Sequence, residues 1–464
     1  MKPGIISLAL SCTIISIILV ASIGYSMQSG ILVSREAFKY LAHYLGPKTF
    51  AEKILDFRGN DGLPGNGYRP RDLGNIFNYI DSEFVLLELR IGVPSLLSVV
   101  HYLGLVCIAA IHMYFSRRFF GRSTFWLALL SLFIFLTSPG SFLTGLYIRS
   151  SKIVVSVFLT IIFWLVVGVF RKQIVQTKAV TIVLSLLSIA MALTDEVGIA
   201  ILAGFLAITF FAFFVYRQTR FFTLALPFVL ALSLTMVYRY AIGPYLVHQV
   251  TGIWPYVWNA DITNIIHRRI AFGTVAMSFD YIGLLLGNTG FPGGFLATFG
   301  LLAVLLQRSR KQRGKTPRVK KYFWPCVYVI SSALCIGSIG LMAATHPPII
   351  QWVNMLRYYP IPFQAVISAT ICLLACAWYS QSLKSRHVAT AILTTVVIIN
   401  TLSLPLHMKT VENEATHQPW GNAKDLVDPI LTPDVVPFHS PASDHWDIDA
   451  ITVIRSRLGK RERR

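Results

Sequence analysis

Tyr68-Arg69-Pro70-Arg71-Asp72-Leu73-Gly74-Asn75-Ile76-Phe77-Asn78-Tyr79-Ile80-Asp81-Ser82-Glu83-Phe84-Val85-Leu86-Leu87 reads as a helix lying on a membrane surface. Leu73, Ile76, Phe77, Ile80, Phe84 and Leu87 recur at helical spacing and form one apolar stripe. Asn75, Asn78 and Ser82 lie opposite, with Asp81 and Glu83 on the two flanks. An apolar stripe under a polar face settles at the headgroup boundary, so this helix holds its loop against the bilayer. The loop itself, residues 27–93, is a polar stretch wedged between two hydrophobic runs, 4–26 and 94–115.

The rest of the chain agrees with a membrane location. Hydrophobic residues make up 55% of the 464 and charged ones only 13%, with a mean hydropathy of +0.62. A helix needs about 20 apolar residues to cross the hydrocarbon, where no water satisfies a broken backbone. Spans are expected at 4–26, 94–115, 124–145, 151–170, 178–193, 198–216, 221–238, 283–306, 323–345, 361–380 and 388–406. The expected fold is therefore an all-α polytopic membrane protein of about eleven transmembrane helices, with a large first outer loop carrying juxtamembrane amphipathic helices. Residues 1–406 form the membrane domain and 407–464 a polar C-terminal tail. The first run is read as a retained anchor rather than a cleaved signal, since no small-x-small cleavage site follows it.

Charge gives the orientation. The net charge of +20 does not point to nucleic acid, because the positives sit where a bilayer protein places them. Arg117, Arg118 and Arg122 follow the second run, Arg171, Lys172 and Lys178 the fourth, and Arg217 and Arg220 the sixth. A further basic loop occupies 307–322, and Lys384 and Arg386 follow the tenth run. The opposite short connections carry Arg149, Lys152, Arg239, Arg268, Arg269 and Arg357. By the positive-inside rule the N-terminus is cytoplasmic, and loop 27–93 faces outward from a plasma or inner membrane, as does the tail. Fusing the runs 178–193 and 198–216 would place the basic loop outside, so they are kept as two crossings.

Elsewhere in the first loop, Ser34 opens a helix through Tyr44 that Gly46-Pro47 stops, with Phe38, Leu41 and Leu45 on one face. The outer connection 239–282 is rich in interfacial aromatics, among them Tyr240, Tyr245, Trp254 and Tyr256. Gly287 to Gly294 reads as an unwound start to a span or as close helix packing. All six cysteines fall inside spans and read as packing residues. No metal-ligand spacing and no nucleotide-binding loop is readable, and no cofactor is expected.

Chemistry at the outer face needs a base, an anion grip and a cavity. The carboxylates of the first loop supply candidates for the base: Asp81, Asp72 and Glu36, with helix capping the competing reading of Asp72. Asp195 and Glu196 lie between two apolar runs, where an unpaired charge is costly, so they face the outer surface or a wet cavity. One of the two is explained by capping of the following helix. Arg69, Arg71, Arg149, Lys152 and Arg357 are outer-side cations, and guanidinium groups there suit a lipid phosphate or ordinary headgroups.

This layout resembles the GT-C membrane glycosyltransferases, in its number of spans, its large first outer loop with juxtamembrane helices, its loop carboxylates and its later outer arginines. The likeness is one of architecture over most of the chain. The family often carries an Asp or Asp-Glu pair soon after the first span, whereas here Glu36 stands without a second acid and Asp72 and Asp81 come later. The resemblance implies a sugar drawn from a polyprenyl-phosphate-linked donor in the bilayer. A loop carboxylate would act as base, and Arg357 or Arg149 would stabilise the departing phosphate. Asp195 and Glu196 would hold sugar hydroxyls. A transporter or flippase of a lipid or small solute would use the same intramembrane polar groups. A polysaccharide polymerase or ligase is the third reading, though its major outer loop would be expected later in the chain.

Overall fold

The first turn of a helix exposes backbone N–H groups that nothing within the helix can satisfy. In this protein the surface helix read above supplies acceptors at two such starts. The computed structural model describes residues 32–55, 67–92, 98–121, 124–136, 150–217, 219–257, 390–399, 420–422 and 446–459, with positions 13, 17, 387–388 and 401–402. Among these the fold is all-α. In chain order, the first loop contributes α1 (Arg35–Leu45), α2 (Phe50–Leu55) and α3 (Asp72–Arg90). Then follow α4 (Val99–Phe120), α5 (Phe125–Leu136), α6 (Ser151–Phe170), α7 (Lys178–Thr194), α8 (Glu196–Tyr216) and α9 (Thr219–Val237). A π-turn, Tyr238–Ile242, continues α9 into α10 (Gly243–Thr251). Thr390–Ile399 is α11 and Trp446–Gly459 is α12.

Among the described residues four helical stretches are long and apolar enough to cross a membrane: Val99–Phe120, Ser151–Phe170, Glu196–Phe214 and Phe221–Thr251. They mark an integral membrane protein. The 17-residue α7 is shorter but packs between α6 and the pair α8–α9. A single extended residue, Asp195, separates α7 from α8, so the two runs are distinct helices. The expected spans at 4–26, 283–306, 323–345 and 361–380 lie outside the described residues, as do Gly287–Gly294 and the basic loop. The expected span at 388–406 is described only in part.

α3 lies across the ends of this bundle. Its apolar stripe faces away from the bundle: Leu73, Ile76, Phe77 and Ile80 are half-buried, and Phe84 and Leu87 are exposed. Its polar face is the one buried against protein, with Asp72, Asn75, Asn78, Asp81 and Ser82 all inside. The crossing is close at Gly74, where a Cβ would collide with the Thr194 carbonyl oxygen and meet the Ser151 Cβ at 3.2 Å.

That buried face does the joining. Asp81 accepts from Ser98 Oγ at 2.6 Å and from the Val100 amide at 2.9 Å, while Ser98 in turn accepts from the His101 amide. Together they cap the start of α4, with a carboxylate placed favourably for its dipole. Asn78 Oδ1 accepts from both the amide and hydroxyl of Ser150 ahead of α6. Asn75 accepts from the Tyr44 hydroxyl and donates to the Ile54 carbonyl, which binds α1 and α2. The starts of α4 and α6 and the α7–α8 turn therefore share one face of the bundle with loop 27–93.

The tail reaches the same face. α12 packs on α1 and α3 through Leu41, Leu45, Val85, Leu86, Leu89, Ala450, Ile451 and Ile454. Arg457 bonds both oxygens of Glu83 at 2.7 and 3.0 Å. Leu32–Ser34 pairs antiparallel with Trp420–Asn422, and Gly67–Tyr68 pairs in parallel with Tyr256–Val257.

Candidate functional site

The site forms where Tyr68–Asp72, the Asp195–Glu196 turn and the π-turn meet. Arg71 precedes α3 without using a side chain to cap it, and Asp72 begins the helix. The Asp72 carboxylate does not cap its own helix. Its Oδ2 instead accepts from the Tyr68 hydroxyl at 2.9 Å and from the Tyr238 hydroxyl. Its Oδ1 is buried and accepts no hydrogen bond among the described residues. Burial raises the Asp72 carboxyl to about 6, against the opposing pull of the two tyrosine hydroxyls. Burial likewise pushes the Tyr68 hydroxyl well above its ordinary range, so it stays a donor.

Tyr68 is held between two loops. Its backbone pairs with Val257, and Gly243 lies against its ring, where a Cβ would come within 2.5 Å of the hydroxyl. Tyr238 and Arg239 are consecutive in the π-turn, a local widening that recurs at functional sites. Both side chains are thereby brought to the same junction.

Glu196 receives the arginines. Arg71 Nη2 lies 3.3 Å from Oε2 and Arg239 Nη2 lies 3.4 Å from Oε1. Arg69 acts on the same carboxylate through its charge. Asp195 is differently committed: it caps α8 through the Val197 amide, pairs with Lys152 Nζ at 2.7 Å and accepts from Ser151. Capping thus falls to Asp195 and leaves the Glu196 carboxylate to the arginines. Lys152 and Asp195 are both buried, and that ion pair forms a fixed floor between α6 and α8.

The structure therefore brings together Asp72, Arg69, Arg71, Lys152, Asp195 and Glu196 of the residues singled out from sequence. Asp81 lies further along α3 in the joint with α4; burial raises its carboxyl to about 7 while Ser98, Val100 and Ser150 oppose the rise. Glu36 falls on α1, and its side chain lies outside the described residues, as do Arg149 and Arg357 altogether. Tyr68, Tyr238 and Arg239 complete the constellation and were not among the candidate site residues. Arg239 already stood out as an outer-side cation, whereas a π-turn leaves no mark in the sequence. Among the described residues no group of three or more His, Cys, Asp or Glu side chains is placed to hold a metal ion.

Chemically, the arrangement offers a buried carboxylate, raised by burial to about 6, and three guanidinium groups gathered on Glu196. No protein-family model, no curated protein and no solved structure matches the chain.

Proposed function

We propose that the protein is a membrane glycosyltransferase that moves a sugar from a polyprenyl-phosphate-linked donor to an acceptor at the outer face of the membrane. In this reading eleven helices cross the bilayer, the N-terminus is cytoplasmic, and the junction at α3 faces outward. One observation carries it: Asp72, with a buried oxygen that accepts no hydrogen bond among the described residues, is adjacent in sequence to Arg71 and bonded to Tyr238, which is adjacent to Arg239.

Asp72 is the base. Its Oδ1 takes the proton of an acceptor hydroxyl as that oxygen attacks the anomeric carbon. The bond from the anomeric carbon to the phosphate oxygen breaks with inversion, and its electron pair stays on the polyprenyl phosphate. A carboxyl near 6 is ionised at neutral pH yet basic enough to accept the proton. Arg69, Arg71 and Arg239 hold the phosphate, an electrostatic contribution that is strongest where water is excluded. The exposed apolar side chains of α3, Phe84 and Leu87, face the lipid from which the donor enters. Asp81 serves this site as a joint, fixing α3 on α4.

The test is transfer of labelled sugar in proteoliposomes containing the purified full-length chain. Transfer from a polyprenyl-phosphate sugar but not from the matching nucleotide sugar supports the proposal. Movement of lipid or solute across the vesicle without covalent transfer replaces it with a transporter.

A further inference from the structure

We propose that Glu196 is a built-in stand-in for the ligand's phosphate: it holds the arginines together before the phosphate arrives, gives way to it, and returns as the product leaves. This rests on the arginine cluster being the phosphate grip proposed above.

Four observations point to it. Arg71 at the start of α3 and Arg239 in the π-turn come from distant parts of the chain and meet on the two oxygens of one carboxylate. Their contacts, 3.3 and 3.4 Å, are long beside the 2.7 Å of Lys152–Asp195 in the same site. A well-formed charge-assisted hydrogen bond is about 2.7–2.9 Å, so these two contacts are longer than one. The Glu196 side chain is also the most accessible member of the trio, 27% exposed against 13% for Arg71 and 8% for Arg239. Finally, the start of α8 is already capped by Asp195, so the Glu196 carboxylate can swing away without unravelling the helix.

The charge balance explains what the device accomplishes. Arg71, Arg69 and Arg239 all act on the Glu196 carboxylate and outweigh the like charge of Asp195, a local positive field that draws in a phosphate. The donor is a phosphodiester bearing one negative charge, whereas the product is a monoester that carries roughly −1.5 to −2 at neutral pH. Without a competitor, the same arginines that stabilise the departing phosphate would retain it. A tethered carboxylate competes at high effective concentration and lowers the affinity for product. Glu196 thus sets product release, a step that often limits turnover.

Binding of farnesyl phosphate and of inorganic phosphate to the full chain in detergent micelles, followed by tryptophan fluorescence, tests this. Glu196→Gln should bind farnesyl phosphate about tenfold more tightly than wild type, the value of one charged contact no longer opposing the ligand. Glu196→Asp, which keeps the charge on a shorter arm, should fall between and guards against a Gln variant that fails to fold. A gain for inorganic phosphate as well means the site reads phosphate alone; a gain confined to farnesyl phosphate means that it also reads the chain. Farnesyl phosphate should inhibit sugar transfer by the Gln variant at lower concentration, which a purely structural residue would not cause. Equal or weaker binding by a folded Glu196→Gln overturns the stand-in while leaving the arginine grip intact. Unchanged binding in Arg71→Gln and Arg239→Gln overturns both.

Discussion

Asp72 and Tyr238, 166 positions apart in sequence, share a hydrogen bond in which the tyrosine hydroxyl donates to the carboxylate. The bond ties the first loop to the end of α9 and favours the ionised form of Asp72 against the burial that disfavours it. Tyr238→Phe removes the donor, so the Asp72 carboxyl moves further above about 6. The acid limb of the transfer-rate profile should then shift to higher pH, with more activity lost at about pH 6 than at about pH 8. A rate profile on both proteins checks this.

Asp81 makes a separate, structural prediction. Its folded carboxyl lies near 7 against an ordinary 3.8, so between these values the folded state holds the proton more tightly than the unfolded one. Stability attributable to this group therefore falls as pH rises from about 4 to about 7, by on the order of a few kcal/mol. Asp81→Asn keeps an acceptor for Ser98 or Val100 and should flatten that dependence in thermal melts at several pH values. Asp81→Leu leaves those donors unmet and should lose about 1–3 kcal/mol near pH ~4, a loss that narrows as pH rises toward about 7.

Lys152 and Asp195 form a buried pair, and breaking such a pair costs more than the pair itself contributes. Lys152→Met alone should cost about 3–5 kcal/mol by leaving Asp195 charged and buried. Adding Asp195→Asn should recover much of that loss, since the buried charge is then gone and the amide oxygen can still cap α8. Melting temperatures of the two single variants and the double variant measure the coupling.

The C-terminal helix is held by its apolar face. Ile454 is fully buried against α1 and α3, so Ile454→Ala should cost about 2–5 kcal/mol locally and expose α12 to limited proteolysis. Arg457→Ala removes an ion pair whose side chains are 37% and 31% exposed, and should cost under about 1 kcal/mol.

Much of this architecture was legible because hydrophobic run length and helical period are local signals. Residues 151–170 appear with the expected bounds, and the helix of 72–90 shows the expected apolar stripe. The polar face of that helix was harder to interpret. Asn75, Asn78 and Ser82 stood out only as the face opposite the stripe, yet they are buried: Asn78 accepts from Ser150 ahead of α6, Asn75 bonds Tyr44 and Ile54, and Ser82 bonds back to its own helix. In the site, Asp195 and Glu196 stood out as charges between two apolar runs, and Arg71 and Asp72 as a cation and a carboxylate of the first outer loop. Tyr68, Tyr238 and Arg239 join them through a two-residue strand pair and a π-turn, long-range and local geometry that no period records.

The account turns on which carboxylate of α3 takes the acceptor's proton. Labelled-sugar transfer from a polyprenyl-phosphate donor, compared in Asp72→Asn and Asp81→Asn at matched folded protein, addresses it most directly. Loss of a general base should lower the rate about 10²–10⁴-fold in Asp72→Asn, while Asp81→Asn stays within about tenfold of wild type. Full transfer by Asp72→Asn, or a collapse confined to Asp81→Asn, would contradict the assignment of Asp72 as the base.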